Sequence, residues 1–243
     1  ELYIITSDGN KTLLKKDIFT LVNQKRPRRD LFIFALDFAA NETKTFYLKV
    51  MSRTTLQVAL AVWETEALEK SLITEHYGFG IFLGVIGVFI FFNLCLYIYF
   101  QDRMYLYYTF FLLCATYFRL QSNRWDTIYW LSFAPEWNYY ASSFSVQLSF
   151  ILIILFFRRT LQSKKITPRL HRQSTVLLAL NILCLPMMFV LSFSLFTHLL
   201  SFLAILLLPL LWMAFSCWRK GLQAGGYLFS GWSIFIFMSL VFG

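Results

Sequence analysis

Six long apolar runs, separated by short polar stretches, fill the chain from residue 78 to its end. A helix needs about 20 apolar residues to cross the hydrocarbon core of a bilayer, where every backbone polar group must be hydrogen-bonded within the protein. The pattern therefore predicts a membrane protein with an all-α transmembrane bundle. The predicted helices cover residues 78–100, 105–122, 138–157, 175–195, 197–218 and 227–243.

The first 63 residues show a different pattern, in which apolar and polar positions alternate. Alternation is typical of half-buried strands, and it marks strands at 31–38, 45–52 and 56–62. In the second of these, Phe46 and Leu48 are expected to face inward and Lys49 outward. Two earlier strands, at 2–6 and 12–14, flank a Ser-Asp-Gly-Asn turn that indicates a hairpin. Short strands joined by turns predict the C-terminal part of a jelly-roll-like β-sandwich, and residues 64–77 form a charged connector to the first helix.

Charge gives the orientation. Residues 1–76 hold eleven basic and ten acidic side chains, whereas the remainder holds eleven basic and three acidic ones. If residues 1–76 lie outside the membrane, the cytoplasmic gaps hold nine basic residues, whereas the outer gaps hold only Arg124, with Arg119 close by, as the positive-inside rule requires. The pattern excludes a nucleic-acid-binding stripe and predicts an extracytoplasmic N-terminal domain.

The cytoplasmic gaps also carry candidate functional residues. We expect a local ion pair at the turn formed by Asp102 and Arg103. The gap 158–174 is explained equally well by setting the topology and by binding anionic membrane lipids. Its basic residues are Arg158, Arg159, Lys164, Lys165, Arg169 and Arg172.

The order of several short motifs carries a family resemblance. The N-terminal part contains Arg26-Pro27-Arg28-Arg29, Tyr47-Leu48-Lys49-Val50 and Leu60-Ala61-Val62-Trp63. The membrane part contains Tyr77-Gly78, Phe92-Asn93-Leu94, Asp102-Arg103-Met104-Tyr105, the loop at 164–170 and the stretch 224–232. Together these resemble the bacterial seven-transmembrane receptors with diverse intracellular signalling modules, the DISM family, over essentially the whole chain.

The resemblance implies a sensory receptor of the bacterial inner membrane. Its extracytoplasmic jelly-roll domain would be similar to carbohydrate-binding modules, and its seven helices would lead to a cytoplasmic histidine kinase, nucleotide cyclase or phosphatase. Residues 1–63 would then be part of the sensor domain, 64–77 the connector and 78–243 the first six helices. We expect a seventh helix and any output module to lie beyond the residues in hand.

Two groups of residues are candidates for ligand contact. Trp63 and Glu64 end the last predicted strand, and an aromatic ring beside an acid suits a saccharide. The outer loop adds Arg124, Trp125, Asp126 and Trp130. The alternative for both groups is an interfacial aromatic belt at the membrane surface.

Small and polar residues within the helices predict helix packing. Gly80, Gly84 and Gly87 lie along one side of the first helix, where they would admit a neighbouring helix or a second receptor in a homodimer. Asn93, Gln147 and Asn181 are deep polar residues that interhelical hydrogen bonds would satisfy. Pro186 and Pro209 are expected to kink the fourth and fifth helices.

The sequence shows no catalytic constellation, and we predict no metal and no cofactor. The three histidines, His76, His171 and His198, are far apart and have no ligand partners at metal-binding spacing. The predicted function is therefore that of a receptor that binds an extracytoplasmic small ligand and relays the resulting signal through the bundle to a signalling module. A small-solute transporter or channel, or a membrane scaffold, is the alternative.

Overall fold

A computed structural model describes residues 2–6, 11–14, 44–49, 60–122 and 137–242. The chain divides into two units, one formed by 1–60 with 120–138 and the other by 61–119 with 139–243. Among the described residues, the first unit contains a small β-sheet and the second contains most of the helical residues.

The sheet has three antiparallel strands in the order β2-β1-β3. They are β1 (Leu2–Thr6), β2 (Lys11–Leu14) and β3 (Lys44–Leu48). In register, the two ends of the hairpin meet at Leu2 and Leu14, and Leu2 also pairs with Leu48 on its other side.

The pairing of β1 with β2 is the predicted hairpin. In β3, Phe46 and Leu48 are half-buried while Tyr47 and Lys49 are exposed, which is the predicted alternation. The predicted strand at 31–38 and most of the one at 56–62 lie outside the described residues. The described strands form a three-stranded sheet, and the complete sandwich remains a prediction.

Helix α1 (Thr65–Phe100) is continuous over 36 residues. At 1.5 Å per residue it is about 54 Å long, whereas the hydrocarbon core of a bilayer is about 30 Å thick. Its first turns carry Glu66, Glu69 and Lys70, and its apolar run starts at Gly78. The predicted connector is thus helical from Thr65 onward and continues into the first predicted membrane helix without a break.

The remaining helices follow the predicted runs, with several boundaries moved. They are α2 (Arg103–Ser122), α3 (Trp137–Thr160), the short α4 (Ser163–Ile166), α5 (Pro168–Cys184), α6 (Phe193–Ile205), α7 (Leu208–Arg219) and α8 (Gln223–Phe242). A 3-10 helix at Leu185–Phe189 follows α5 directly.

The fourth predicted helix begins earlier than expected, and both the fourth and the fifth predicted helices are interrupted. Residues 163–174, expected as loop, form α4 and the first turns of α5, which begins with Pro168 in a position where proline costs no hydrogen bond. The kinks expected at Pro186 and Pro209 are breaks, since α5 gives way to the 3-10 helix and a turn at Leu206–Leu207 separates α6 from α7.

Four helical stretches among the described residues are long and apolar enough to cross a membrane: Thr65–Phe100, Tyr140–Thr160, Pro168–Phe189 and Ser194–Arg219. They correspond to four of the six predicted crossings. The other two predicted runs are helical as α2 and α8, and their passage through the membrane remains a prediction. The chain is thus a mainly helical, multi-pass membrane protein.

The core of the helical unit is centred on α3, α5 and α7. Ile154 and Phe157 of α3, with Leu161 directly after it, pack with Leu177 of α5. Leu210, Met213, Ala214 and Cys217 complete this core from α7. Trp232 of α8 packs against it, with its ring centroid 5.8 Å from that of Phe157.

Helices α7 and α8 approach each other backbone to backbone. Gly221, with φ of +92°, forms the left-handed turn after α7, and Leu222 N–H closes it onto the carbonyl of Cys217. A Cβ on Gly225 would lie 2.6 Å from the carbonyl oxygen of Ala214 and 2.7 Å from the nitrogen of Trp218. Only glycine fits this approach without a backbone shift.

Candidate functional site

The turn between α1 and α2 is tied to the end of α3 by one carboxylate. Asp102 Oδ1 accepts the N–H of Met104 at 3.1 Å, which caps the start of α2, and it also accepts from Arg159 Nε at 3.0 Å. The Met104 N–H and then the Arg159 guanidinium hold the pKa of Asp102 below its ordinary value. The ion pair expected locally with Arg103 instead joins two helix ends that are 57 residues apart.

A second polar group lies at the same end of α3. His171 Nε2 lies 2.9 Å from Arg158 Nη2, and His171 Nδ1 lies 2.8 Å from Ser163 Oγ. A guanidinium only donates, so Nε2 accepts and the proton of the neutral imidazole is on Nδ1, which donates to Ser163. Ser163 Oγ in turn donates to the carbonyl of Arg158 at 3.3 Å. The three residues form a closed ring of hydrogen bonds, which we call the His171 ring.

The link between α4 and α5 is fixed to α7. Lys220 Nζ donates to the carbonyl of Ile166 at 2.7 Å, and the hydroxyl of Thr167 lies 3.7 Å from Cys217 Sγ. Thr167 and Cys217 are buried. The predicted loop between the third and fourth membrane helices is therefore an ordered platform, held by contacts to α3 and α7.

The predicted cytoplasmic residues are placed on or beside this platform. Lys164, Lys165, Arg169 and Arg172 are exposed, as is Arg103 at the start of α2. Arg158 and Arg159 take part in the contacts described above. The platform thus exposes basic side chains, while its buried Ser163 and Thr167 contact His171 and Cys217.

A third polar contact lies deeper in the bundle. Gln147 Nε2 of α3 donates at 2.9 Å to both the backbone carbonyl and the side-chain oxygen of Asn181 on α5. Asn181 Nδ2 donates to the carbonyl of Leu177 at 2.8 Å. Both Gln147 and Asn181 are completely buried. The interhelical hydrogen bond expected for these two residues is present.

Asn93 behaves differently from this pair. Its Nδ2 donates to the carbonyl of Phe89 in the same helix at 2.8 Å, so this hydrogen bond links no two helices. Gly80, Gly84 and Gly87 of the same helix are exposed, and a Cβ on any of them would meet nothing within 4 Å. Their predicted role in helix packing stays a prediction.

The candidate ligand residues are only partly described. Trp63 is about half exposed (52%), and Glu64 is exposed and in extended conformation immediately before α1. Arg124, Trp125, Asp126 and Trp130 lie outside the described residues. The structure therefore gives the surroundings of the first pair, and the grouping of all six as a site stays a prediction.

Two of these contacts had no clear signal in the sequence. His171 is isolated from other ligand-type residues along the chain, and only the short α4 brings Ser163 to it. Lys220 reaches Ile166 because the end of α7 packs beside α4. Within the described ranges no three His, Cys, Asp or Glu side chains lie together as a metal site would require. The contacts described above connect helix ends.

Comparison with known families covers nearly the whole chain in two segments. Residues 75–243 match the family described as "7TM diverse intracellular signalling", and residues 1–64 match the family described as "7TMR-DISM extracellular 2". The match over residues 1–64 ends immediately before α1, and the match over residues 75–243 begins within that helix. Searches among curated proteins and among solved structures gave no match.

Proposed function

The chain belongs to the family of seven-transmembrane receptors with diverse intracellular signalling modules, and on this premise we propose that it senses a small ligand outside the cell and relays it through α1. It is a multi-pass membrane protein with an extracellular N-terminal domain, and its family couples such domains to intracellular signalling. Ligand binding, a complete jelly-roll sandwich and a seven-helix bundle are parts of the proposal, as is location in a bacterial inner membrane.

The observation that carries the proposed mechanism is the continuity of α1. One helix of 36 residues includes the polar connector and the apolar run from Gly78 to Phe100. Because a helix without a break transmits rotation and translation along its axis, movement at Thr65 reaches Phe100 directly. A ligand can drive this movement only through its different affinity for the two states of the receptor.

The far end of α1 meets the contacts described above. The helix ends at Phe100, and Asp102 in the next turn binds Arg159 at the end of α3. The ring of Phe100 also stacks on that of Tyr105 in α2, with 6.0 Å between centroids. We place this end of the bundle on the cytoplasmic side, because the basic residues concentrate there. Movement of α1 would then reach the platform of α4 and α5.

The platform is the proposed junction with the output. Its exposed Lys164, Lys165, Arg169 and Arg172 can contact anionic lipid headgroups or the acidic surface of a signalling module, in the same chain or in a separate partner. A histidine kinase, a nucleotide cyclase or a phosphatase would each serve as that module. The exposed glycine face of α1 is the surface through which we would expect a homodimer to form.

The proposed ligand contact begins at Trp63 and Glu64, at the junction of the two matched segments. An exposed indole beside a carboxylate can stack on a sugar ring and accept its hydroxyl protons. We therefore propose a saccharide as the ligand class, and the loop residues Arg124, Trp125, Asp126 and Trp130 stay candidates for ligand contact.

The proposal is tested by calorimetric titration of saccharides into the full chain in lipid nanodiscs. Trp63→Ala is expected to weaken binding about tenfold, which corresponds to the roughly 1–1.5 kcal/mol of an aromatic contact. The control is Trp218→Ala, since Trp218 is a half-exposed indole on α7. Saccharide-dependent uptake into proteoliposomes would contradict the receptor and favour a transporter.

A further inference from the structure

The break after α5 leaves one backbone carbonyl without its helical partner. In an uninterrupted α-helix the N–H of residue 185 donates to Asn181 and that of residue 186 to Ile182. Pro186 has no N–H, so Ile182 cannot receive its usual hydrogen bond. The structure shows Leu185 N–H donating to Ile182, one residue closer than in an α-helix. The carbonyl of Asn181 thereby loses the donor that an α-helix would supply.

A side chain from another helix takes the place of that donor. Gln147 Nε2 donates to the Asn181 carbonyl at 2.9 Å. Ile182 is half exposed on the outside of the bundle (52%), whereas Asn181 is fully buried inside it. A carbonyl in hydrocarbon must be hydrogen-bonded within the protein. The carbonyl of the half-exposed Ile182 therefore receives the backbone donor, and that of the buried Asn181 receives the side-chain donor.

Gln147 occupies this position at some cost. Within the described part of the chain, its Oε1 is buried and has no hydrogen-bond partner. A buried acceptor without a donor is unfavourable, so an apolar residue would suit this site if packing were the only requirement. The two hydrogen bonds from Nε2 to Asn181 account for the presence of an amide here.

We propose that Pro186 and Gln147 form a latched hinge: Pro186 interrupts α5, and Gln147 holds the interruption in its 3-10 form. A 3-10 helix rises about 0.5 Å more per residue than an α-helix. Conversion of Leu185–Phe189 to α-helix would therefore shorten the segment by about 2.5 Å. Because only three residues separate Phe189 from α6, release of the latch moves α6. The use of this movement in signalling rests on the proposed receptor function, whereas the latch itself does not.

The latch is tested by a double-mutant cycle on the full chain, measured as reversible unfolding in mixed detergent micelles. Gln147→Leu removes the donor, and Pro186→Ala restores the N–H that lets Leu185 return to Asn181. One hydrogen bond between helices of a membrane protein raises the folding equilibrium constant about threefold. We expect Gln147→Leu to lower this constant by about threefold to tenfold when Pro186 is present, and by about threefold less in the Pro186→Ala background.

An equal cost of Gln147→Leu in both backgrounds would overturn the latch. Asn93→Leu is the matched control, because Asn93 donates within its own helix and its cost should not depend on residue 186. If the leucine variant does not fold, Gln147→Asn decides the question, since its shorter side chain keeps the amide but cannot reach the Asn181 carbonyl. If the cost of either substitution at Gln147 depends on Pro186, the latch is supported. If the variant that folds costs the same with and without Pro186, the latch is overturned.

The cycle needs neither ligand nor output module. Absence of coupling would therefore overturn the hinge and leave the receptor proposal standing. Coupling in a protein that binds no saccharide and gives no ligand-dependent response would overturn the receptor proposal and leave the hinge.

Discussion

Arg159 Nε donates to Asp102 Oδ1 at 3.0 Å, and the same oxygen accepts the N–H of Met104. One carboxylate oxygen thus caps α2 and joins it to the end of α3. Since Asp102 is partly exposed and Arg159 more so, the ion pair adds little stability by itself. Its effect is positional, because it fixes the turn after α1 against the neighbouring helix.

We expect Asp102→Ala to destabilise the protein by about 1 kcal/mol, mostly through loss of the cap on α2. Asp102→Asn should lose less, because its amide oxygen can still accept the Met104 N–H while the charge is gone. The measurement is the free energy of unfolding in detergent micelles. Arg103→Ala is the control at the adjacent exposed residue, and an equal loss there would contradict the capping role.

Asp102 also predicts a pH dependence. Its pKa in the folded protein is lowered from the ordinary 3.8 by the Met104 N–H and the Arg159 guanidinium. The unfolded chain therefore binds the proton more tightly, so the contribution of Asp102 is complete above about pH 4 and is lost as the pH falls through the folded-state pKa. The unfolding free energies of the native protein and of Asp102→Asn should converge on acidification. A difference that grows with acidification would contradict this.

The close approach of α7 and α8 predicts an effect of a single methyl group. We expect Gly225→Ala to destabilise by about 1–3 kcal/mol, since its Cβ would meet backbone atoms that cannot turn away. Gly231→Ala, in the same helix but with nothing within 4 Å of its Cβ, should be neutral or stabilising by up to about 1 kcal/mol. Thermal unfolding of both variants in nanodiscs measures the contrast, and similar shifts would show that α8 does not pack as described.

The His171 ring predicts rescue by an uncharged amide. His171→Ala leaves Arg158 without its acceptor and Ser163 without its donor, and we expect a loss of about 1–2 kcal/mol. His171→Gln can accept and donate, so it should recover part of the loss. His198→Ala is the control at an exposed histidine. If both variants fold and His171→Gln is as unstable as His171→Ala, the hydrogen bonds of the His171 ring do not contribute to stability.

The sequence was sufficient to locate the helices but not the contacts between them. The length of an apolar run is set by the thickness of the bilayer, so each of the six predicted runs is mainly helical in the structure. Two of them, 175–195 and 197–218, contain a break. The ends were less predictable, because α4 and the first turns of α5 are polar and resemble a loop. The pairing of Asp102 with Arg159 was missed for another reason: many exposed bases could serve as its partner, and only the fold selects one.

For the polar residues within the helices, too, the sequence indicates the chemistry of each residue but not the partner that it contacts. Gln147 and Asn181 were expected to form interhelical hydrogen bonds, and Pro186 was expected to bend the helix, each from its own chemistry. The sequence does not show that Gln147 and Pro186 are linked through Asn181. The Asn181 carbonyl lacks a backbone donor only because the N–H of Leu185 donates to Ile182 instead. Asn93 looked equivalent to Gln147 in the sequence and instead bonds within its own helix.

The central claim is that α1 carries the signal as one rigid helix, and insertion of two glycines between Lys70 and Ser71 tests it most directly. The matched control substitutes alanine for the exposed Lys70 and Thr74, which keeps the length and stiffness of α1. The intact receptor is assayed for saccharide binding and for the activity of its signalling module. We predict that the insertion abolishes the ligand-dependent change in output and leaves binding unchanged, while the control retains both. A normal response with the insertion in place would contradict the account.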